Sequence, residues 1–290
     1  MPVDALANRL QQLLAEDQLI SSALSRSMRA RLEPLFFTEA LTERKAGAGK
    51  HVVLRDREAV NRWIEATYPS GLTGTAEDLP PRAEGVANYR DSKAGRPLVV
   101  RPAFMRGFGN TSLSRAGGRL PLAELTRTHD LAGVLVDPAD PWHLDGVLAL
   151  VENLELFLHI EKVIEGIDAA LWTAGRFDRR VLNWIASMPS VRVLHVGDYD
   201  PVGLDEFLRV RTALPDGRAS LFVPRDFEER LVKYGKVDLL LRSVAVLERV
   251  RRDGPDEVQE VLAVMDRHGK ALEQEALLIG VPGDATEAAP

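Results

Sequence analysis

The sequence predicts an α/β protein in two parts. A small winged-helix-like α+β domain comes first, followed by a larger Rossmann-like domain on a mainly parallel sheet with C-terminal helices. Three observations predict this. From residue 146 onward, short β-branched and aliphatic runs alternate with helical segments, the signature of βαβ units. Residues 4–54 read as helix, helix, strand, glycine turn, strand, the order of a winged helix. Between the two parts, residues 69–97 are rich in Gly, Pro and polar residues, with Pro80-Pro81 in the middle. The expected division is 1–75 for the first domain, 76–140 for a basic connecting region and 141–290 for the sheet domain and its helical tail.

Taken in order, Leu6, Leu10, Leu13 and Leu14 lie at helical spacing within 4–15. A second helix is expected over 21–33, with Leu24, Met28 and Leu32 on its apolar stripe and Arg26, Arg29 and Arg31 off it. Leu35 to Lys45 reads as extended, 46–50 as the wing and His51–Leu54 as a strand. A helix over 57–66 ends ahead of Pro69, where proline restricts the preceding residue. Leu98–Arg101 reads as a strand and Arg106–Asn110 as a glycine-bearing loop. Strands are then expected at Gly146–Val151, Ala169–Thr173, Val191–Val196 and Ala219–Val223, with helices between them. The tail predicts helices at Glu257–Met265 and Lys270–Ile279, then a disordered end over 283–290.

Composition excludes several classes. No apolar run approaches the ~20 residues of a membrane span, and no basic-then-apolar leader is present, so a cytoplasmic protein with no membrane partner is expected. Without cysteine there is no disulfide, thiolate site or cysteine nucleophile, and six scattered histidines show no paired ligand spacing. A glycine loop lacking Gly-Lys-Ser/Thr gives no support to a nucleotide triphosphatase. The net charge is −6, but it is unevenly distributed. Between Arg82 and Arg119 eight basic residues, among them Arg90, Lys93, Arg96 and Arg106, face two acids, whereas from residue 120 onward 30 acids outnumber 19 bases. That asymmetry suits a polyanion-binding part joined to a part that collects cations.

The chemistry centres on Val191-Arg-Val-Leu-His-Val-Gly-Asp198-Tyr-Asp200-Pro201. A buried strand ends in two aspartates one residue apart, and a helix follows at once. Glu152 stands in the same way after Gly146–Val151. The carboxyl ends of parallel strands share one rim, so the three acids can converge. Crowded carboxylates repel unless a cation neutralises them, and hard divalent ions take oxygen ligands. The competing role for Asp200 is to cap the helix that begins at Pro201, and for Asn153 to cap the helix after it.

A strand ending in Glu with a later strand ending in Asp-x-Asp resembles the Toprim domain of topoisomerases, primases and related nucleases. Val151-Glu152-Asn153, Gly197-Asp198-Tyr199-Asp200-Pro201-Val-Gly203-Leu204 and Leu272-Glu273-Gln274-Glu275-Ala-Leu277 resemble the JetD family. JetD is the nuclease subunit of the Wadjet anti-plasmid defence system, and its Toprim domain is related to the topoisomerase VI A subunit. Weaker echoes are Arg31-Leu-Glu-Pro-Leu35, Tyr68-Pro-Ser-Gly-Leu72 and Arg90-Asp-Ser-Lys93, while the strong part covers about 145–277.

The resemblance implies a winged-helix part, a Toprim part and metal-dependent cleavage of double-stranded DNA. Glu152, Asp198 and Asp200 would hold one or two Mg2+ ions, or Mn2+, with Glu273 or Glu275 reaching the same cluster. Arg26, Arg29, Arg31, Lys50, Arg90, Lys93, Arg96 and Arg106 would contact DNA phosphates without reading bases. It also implies a condensin-like motor complex as partner, and cutting both strands favours a homodimer. The four tyrosines, Tyr68, Tyr89, Tyr199 and Tyr234, lack a context matching the topoisomerase nucleophile, so an activated water is expected to attack. The alternative is a non-cleaving DNA-binding or topoisomerase/primase-related accessory module.

Overall fold

A computed structural model of the chain describes residues 3–47, 49–95, 97–214 and 217–280. Arg96 and the 283–290 end therefore lie outside the described residues. The chain divides into two compact units, Met1–Leu98 and Val99–Pro290.

The first unit runs α1 (Ala5–Glu16), β1 (Gln18–Ile20), a 3-10 turn (Ser21–Ala23), α2 (Arg26–Phe37), β2 (Leu41–Ala46), β3 (Gly49–Leu54), α3 (Arg57–Thr67) and α4 (Pro81–Tyr89). The strands form an antiparallel sheet in the order β1-β3-β2. Leu6, Leu10 and Leu13 of α1 pack with Leu32, Leu41, Val52 and Tyr68 in one core. Asp4 caps α1 by accepting the Ala7 N–H at 2.6 Å, and Asp56 caps α3 through the Ala59 N–H at 2.9 Å.

Three expectations for this unit change. The 21–33 helix begins at Arg26, because Ser25 breaks it and caps α2 through the Met28 N–H at 3.2 Å. The extended segment expected from Leu35 begins only at Leu41. The helix carries on past Pro34 to Phe37, and Thr38 closes it by donating from its N–H and Oγ1 to the Pro34 carbonyl. The 76–140 stretch is not one connector. Pro81 opens α4 in the first unit, and the rest, from Val99, builds the second.

The second unit runs β4 (Arg101–Gly107), β5 (Leu113–Arg115), β6 (Gly118–Leu120), α5 (Leu122–His129), β7 (Ala132–Val136), β8 (Gly146–Val151), α6 (Leu154–Leu158), α7 (Ile160–Val163), β9 (Ala169–Trp172), α8 (Arg179–Ala186), β10 (Val191–Val196), α9 (Pro201–Ala213) and β11 (Ala219–Leu221). Four helices follow: α10 (Phe227–Tyr234), α11 (Val237–Leu241), α12 (Val244–Asp253) and α13 (Asp256–His268). Six strands form a mainly parallel sheet in the order β11-β10-β8-β9-β4-β7, with β4 antiparallel to both neighbours. Burial on both faces explains the near-continuous apolar strands: Leu148–Val151 of β8 and Ala169–Leu171 of β9 are all at most 1% exposed.

Here too the sequence reading needs correction. The strand expected at Leu98–Arg101 starts at Arg101 and continues through Gly107, so Arg106 lies in a strand and not in a loop. Residues 270–279 were expected to be helical. Instead Leu272 exchanges both backbone hydrogen bonds with Tyr199, at 2.9 and 3.0 Å, and a 3-10 turn follows over Gln274–Leu278. Among the described residues no helix is long and apolar enough to cross a membrane.

Candidate metal centre

The sheet order locates a crevice. β8 connects through α6 and α7 to β9 on one side, whereas β10 connects through α9 to β11 on the other. β8 and β10 are neighbours in register, Val151 opposite Val196, and their connections diverge. This is a topological switch point, the place where open α/β sheets leave a ligand crevice beyond the strand ends. Glu152 is the first residue past β8, and Asp198 and Asp200 follow β10 after Gly197.

Local structure fixes each acid. Trp172 Nε1 donates to the Glu152 carbonyl oxygen at 2.8 Å. Asp200 caps α9 by accepting the Gly203 N–H at 2.7 Å. Gly203 packs against the Asp198 backbone so closely that an added Cβ would sit 2.2 Å from the Asp198 carbonyl oxygen. Asp198 Oδ1 accepts two hydrogen bonds from Gln274, one from its backbone N–H at 2.9 Å and one from Nε2 at 3.2 Å. Gln274 Oε1 in turn accepts the Asn153 N–H at 3.1 Å, and Asn153 Nδ2 donates to Glu275 Oε1 at 2.6 Å. Asn153 also caps α6 through the Leu156 N–H at 2.9 Å, so its capping and site roles coexist.

The electrostatics are those of an uncompensated acidic cluster. Burial, then the carboxylates of Asp198, Asp200, Glu206 and Glu275, hold the Glu152 carboxyl above its ordinary range. Burial also raises the Asp200 carboxyl and the Asp198 charge adds to this, against the Gly203 and Val202 N–H groups and the charge of Arg242. Among the described residues none of Glu152, Asp198, Asp200 and Glu275 has a Lys or Arg at ion-pair distance. Both Glu152 oxygens and Asp198 Oδ2 accept no hydrogen bond there either. Hard oxygen donors, partly desolvated and mutually repelling, fit a divalent cation chemically. Even so, no three acidic or histidine side chains among the described residues stand together as a ready-made ligand set.

Residues 109–280 match a protein family described as a domain of unknown function, DUF7281. The chain belongs to this family. The DUF7281 match includes Glu152, Asp198, Asp200 and the Gln274 strap, and it leaves out the whole first unit. No curated protein matches the sequence.

The remaining site residues separate. Glu275 joins the cluster through Asn153, whereas Glu273 turns away and pairs with Lys236 at 2.6 Å. Arg106 is 7% exposed and pairs with Glu161 through both terminal nitrogens, at 2.5 and 2.9 Å. It also donates to the carbonyls of Asp130, Phe157 and Leu158, so it is a buried tie and not a DNA contact.

In the first unit Arg29 pairs with Glu43 at 2.8 Å, Lys50 with Glu43 at 3.2 Å and Arg31 with Asp4 at 3.2 Å. Arg90 reaches the Glu65 carbonyl at 3.5 Å. Arg26 and Lys93 are exposed without an ion pair among the described residues. Arg44 and Lys45 on β2 are equally exposed, and sequence reasoning passed over them. It also missed Gln274 as a site residue, although its motif was noted. A glutamine within an otherwise acidic and apolar run was the available signal.

Proposed function

We propose that this chain is a magnesium-dependent Toprim-type endonuclease that cleaves double-stranded DNA as the effector of a JetD-like bacterial defence complex. One observation carries the reading. Glu152, Asp198 and Asp200 flank the switch point of a parallel sheet as repelling, partly desolvated carboxylates without an ion-pair partner among the described residues. Mg2+ or Mn2+ bound there would supply Lewis-acid polarisation of a phosphodiester and a more acidic water. The three acids hold the charge, Gln274 fixes the Asp198 carboxylate and Gly203 lets α9 close against the Asp198 backbone.

Water is the nucleophile in this reading. Tyr199 is fully buried, donates to the Phe222 carbonyl at 2.9 Å and is held strongly protonated by burial. Tyr68 is 1% exposed, is tied to Asp4 and Arg31, and burial pushes it up to about 12. Tyr89 donates to the Val3 carbonyl at 3.1 Å.

The first unit supports a winged-helix DNA-binding role through its order of helix, strand, helix, strand, strand. Arg26, Arg44, Lys45 and Lys93 are among its exposed cations without an ion pair in the described residues, and a duplex cut on both strands calls for a homodimer working with a condensin-like motor.

A second reading, a non-cleaving DNA-binding or topoisomerase/primase-related accessory module, is favoured by the lack of a ready-made ligand set among the described residues. The test is supercoiled plasmid incubated with Mg2+ or Mn2+, with and without candidate motor subunits, for wild type and Asp198→Ala. Metal-dependent nicking lost in the variant supports the nuclease. Salt-sensitive DNA binding without nicking under every condition supports the accessory module.

A further inference from the structure

The second unit holds an open cavity of about 650 Å³ beside α9, lined by Arg176, Arg209, Arg211 and Arg249 together with Asp205 and Asp253. Four guanidinium groups converge here although the chain carries a net charge of −6. Their internal partners do not neutralise them. Glu206 is shared between Arg176 at 3.3 Å and Arg209 at 2.6 Å. Arg249 pairs with Asp205 at 2.8 Å, and Asp253 is taken by Arg252 outside the lining. Arg211 is exposed and has no ion pair among the described residues. Among the described residues, four lining arginines face Glu206 and Asp205, with Asp253 taken by Arg252, which leaves a local positive surplus.

Position gives the surplus a direction. Arg176 lies in the loop leaving the carboxyl end of β9, on the same sheet rim as Glu152 and Asp198. Glu206, which orients Arg176 and Arg209, acts electrostatically on Glu152. From that end the cavity follows α9 as far as Gly217. The part of α9 that lines it, from Asp205 to Thr212, spans ~12 Å, room for about three phosphates of one strand at ~3.4 Å of duplex axis each. Guanidinium forks match phosphate oxygens, and no aromatic side chain lines the cavity to stack a base.

We propose that this arginine cavity binds the phosphate backbone of the nucleic acid that flanks the acidic centre. The assignment rests on the nucleic-acid reading above. The test is the double variant Arg176→Gln/Arg211→Gln. Both side chains are exposed, and Arg209 keeps Glu206 paired in their absence. Binding of a fluorescent duplex is followed by anisotropy in EDTA across a salt series, with thermal melts confirming the fold.

The expected result is a salt slope smaller by about two and affinity at least tenfold weaker at low salt. An unchanged slope in a folded variant, with plasmid nicking intact in the wild type, overturns the cavity and leaves the nuclease standing. A reduced slope with no nicking under any condition upholds the cavity and removes the nuclease. Tripolyphosphate that raises the wild-type melting temperature while the DNA slope stays unchanged identifies a small-anion pocket and overturns the backbone assignment. Absence of duplex binding by the wild type overturns it outright.

Discussion

Gln274 and Asp198 are joined twice, through the Gln274 backbone N–H and its Nε2, both ending on Asp198 Oδ1. Gln274 is 1% exposed, so these bonds are shielded from water, and Asp198 Oδ2 accepts no hydrogen bond among the described residues. Groups that orient a metal ligand are worth about 10–100-fold in affinity when removed. Gln274→Leu is therefore predicted to weaken Mn2+ binding by roughly that factor, as read by electron paramagnetic resonance of the free ion. It is also predicted to lose ~1–3 kcal/mol of stability, because the Asn153 N–H loses its acceptor. Unchanged Mn2+ affinity in a folded variant would sink the positioning role.

Asp200 separates two functions that share one side chain. Asn caps a helix about as well as Asp does, so Asp200→Asn is predicted to melt close to wild type while losing metal-dependent nicking. Asp200→Ala loses nicking and also ~0.5–2 kcal/mol, since the Gly203 N–H is left without its 2.7 Å partner. Paired thermal melts and plasmid assays check this. Equal stability of the two variants contradicts the capping contribution.

Glu152 carries the reverse expectation. Its ionised form is disfavoured first by burial and then by Asp198 and Asp200. Removing the charge relieves both, so Glu152→Gln is predicted to raise the metal-free melting temperature at pH 7 while abolishing cleavage. A lower melting temperature in EDTA would mean that the cluster is not repulsive.

His195, on β10, is 4% exposed between Phe177 and Phe207, and among the described residues neither ring nitrogen has a well-formed hydrogen bond, the Gly203 backbone offering only a weak one. Burial pushes it down to about 4. The unfolded chain takes up its proton near pH 6.5, above the folded value, so His195's contribution is full above ~6.5 and fades as the pH falls towards 4. His195→Leu is predicted to gain ~1–2 kcal/mol at pH 7 and to flatten the loss of stability between pH 6.5 and 4 in denaturant titrations. An unchanged pH profile refutes it.

Arg106 tests the corrected assignment. Arg106 is buried while its partner Glu161 stays exposed, so Arg106→Ala strands no buried charge; it leaves the Asp130, Phe157 and Leu158 carbonyls without their donor and is predicted to cost ~1–3 kcal/mol. Where the variant still folds, the salt slope of DNA binding should equal that of wild type. A shallower slope would return Arg106 to the phosphate contacts.

The four parallel strands were legible because parallel strands buried on both faces must be almost wholly apolar, as Leu148–Val151 are, whereas the antiparallel β7, buried only at alternate residues, was missed. The capping Asp200 and the Pro201 after it were legible because helix starts depend on local chemistry. What escaped was set by partners distant in sequence. Arg106 sits in a basic region and reads as a phosphate contact, but Glu161, 55 residues on, makes it a core tie. Leu272 has the spacing of a helix residue, yet Tyr199 pulls its backbone into an extended bridge. Nothing within a few residues of Gln274 reveals that Asp198 and Asn153 lie against it.

The strap from Ala271 to Leu277 has a consequence for timing. Asn153 and its partner Gln274 are 121 residues apart. At the ~5–20 residues per second of translation, Glu152 and Asn153 leave the ribosome several seconds before the segment that steadies Asp198. A growing chain thus carries the acids without the glutamine that orients one of them. If the centre cuts DNA as proposed, a nascent or prematurely terminated polypeptide holds the metal about 10–100-fold more weakly until the strap docks.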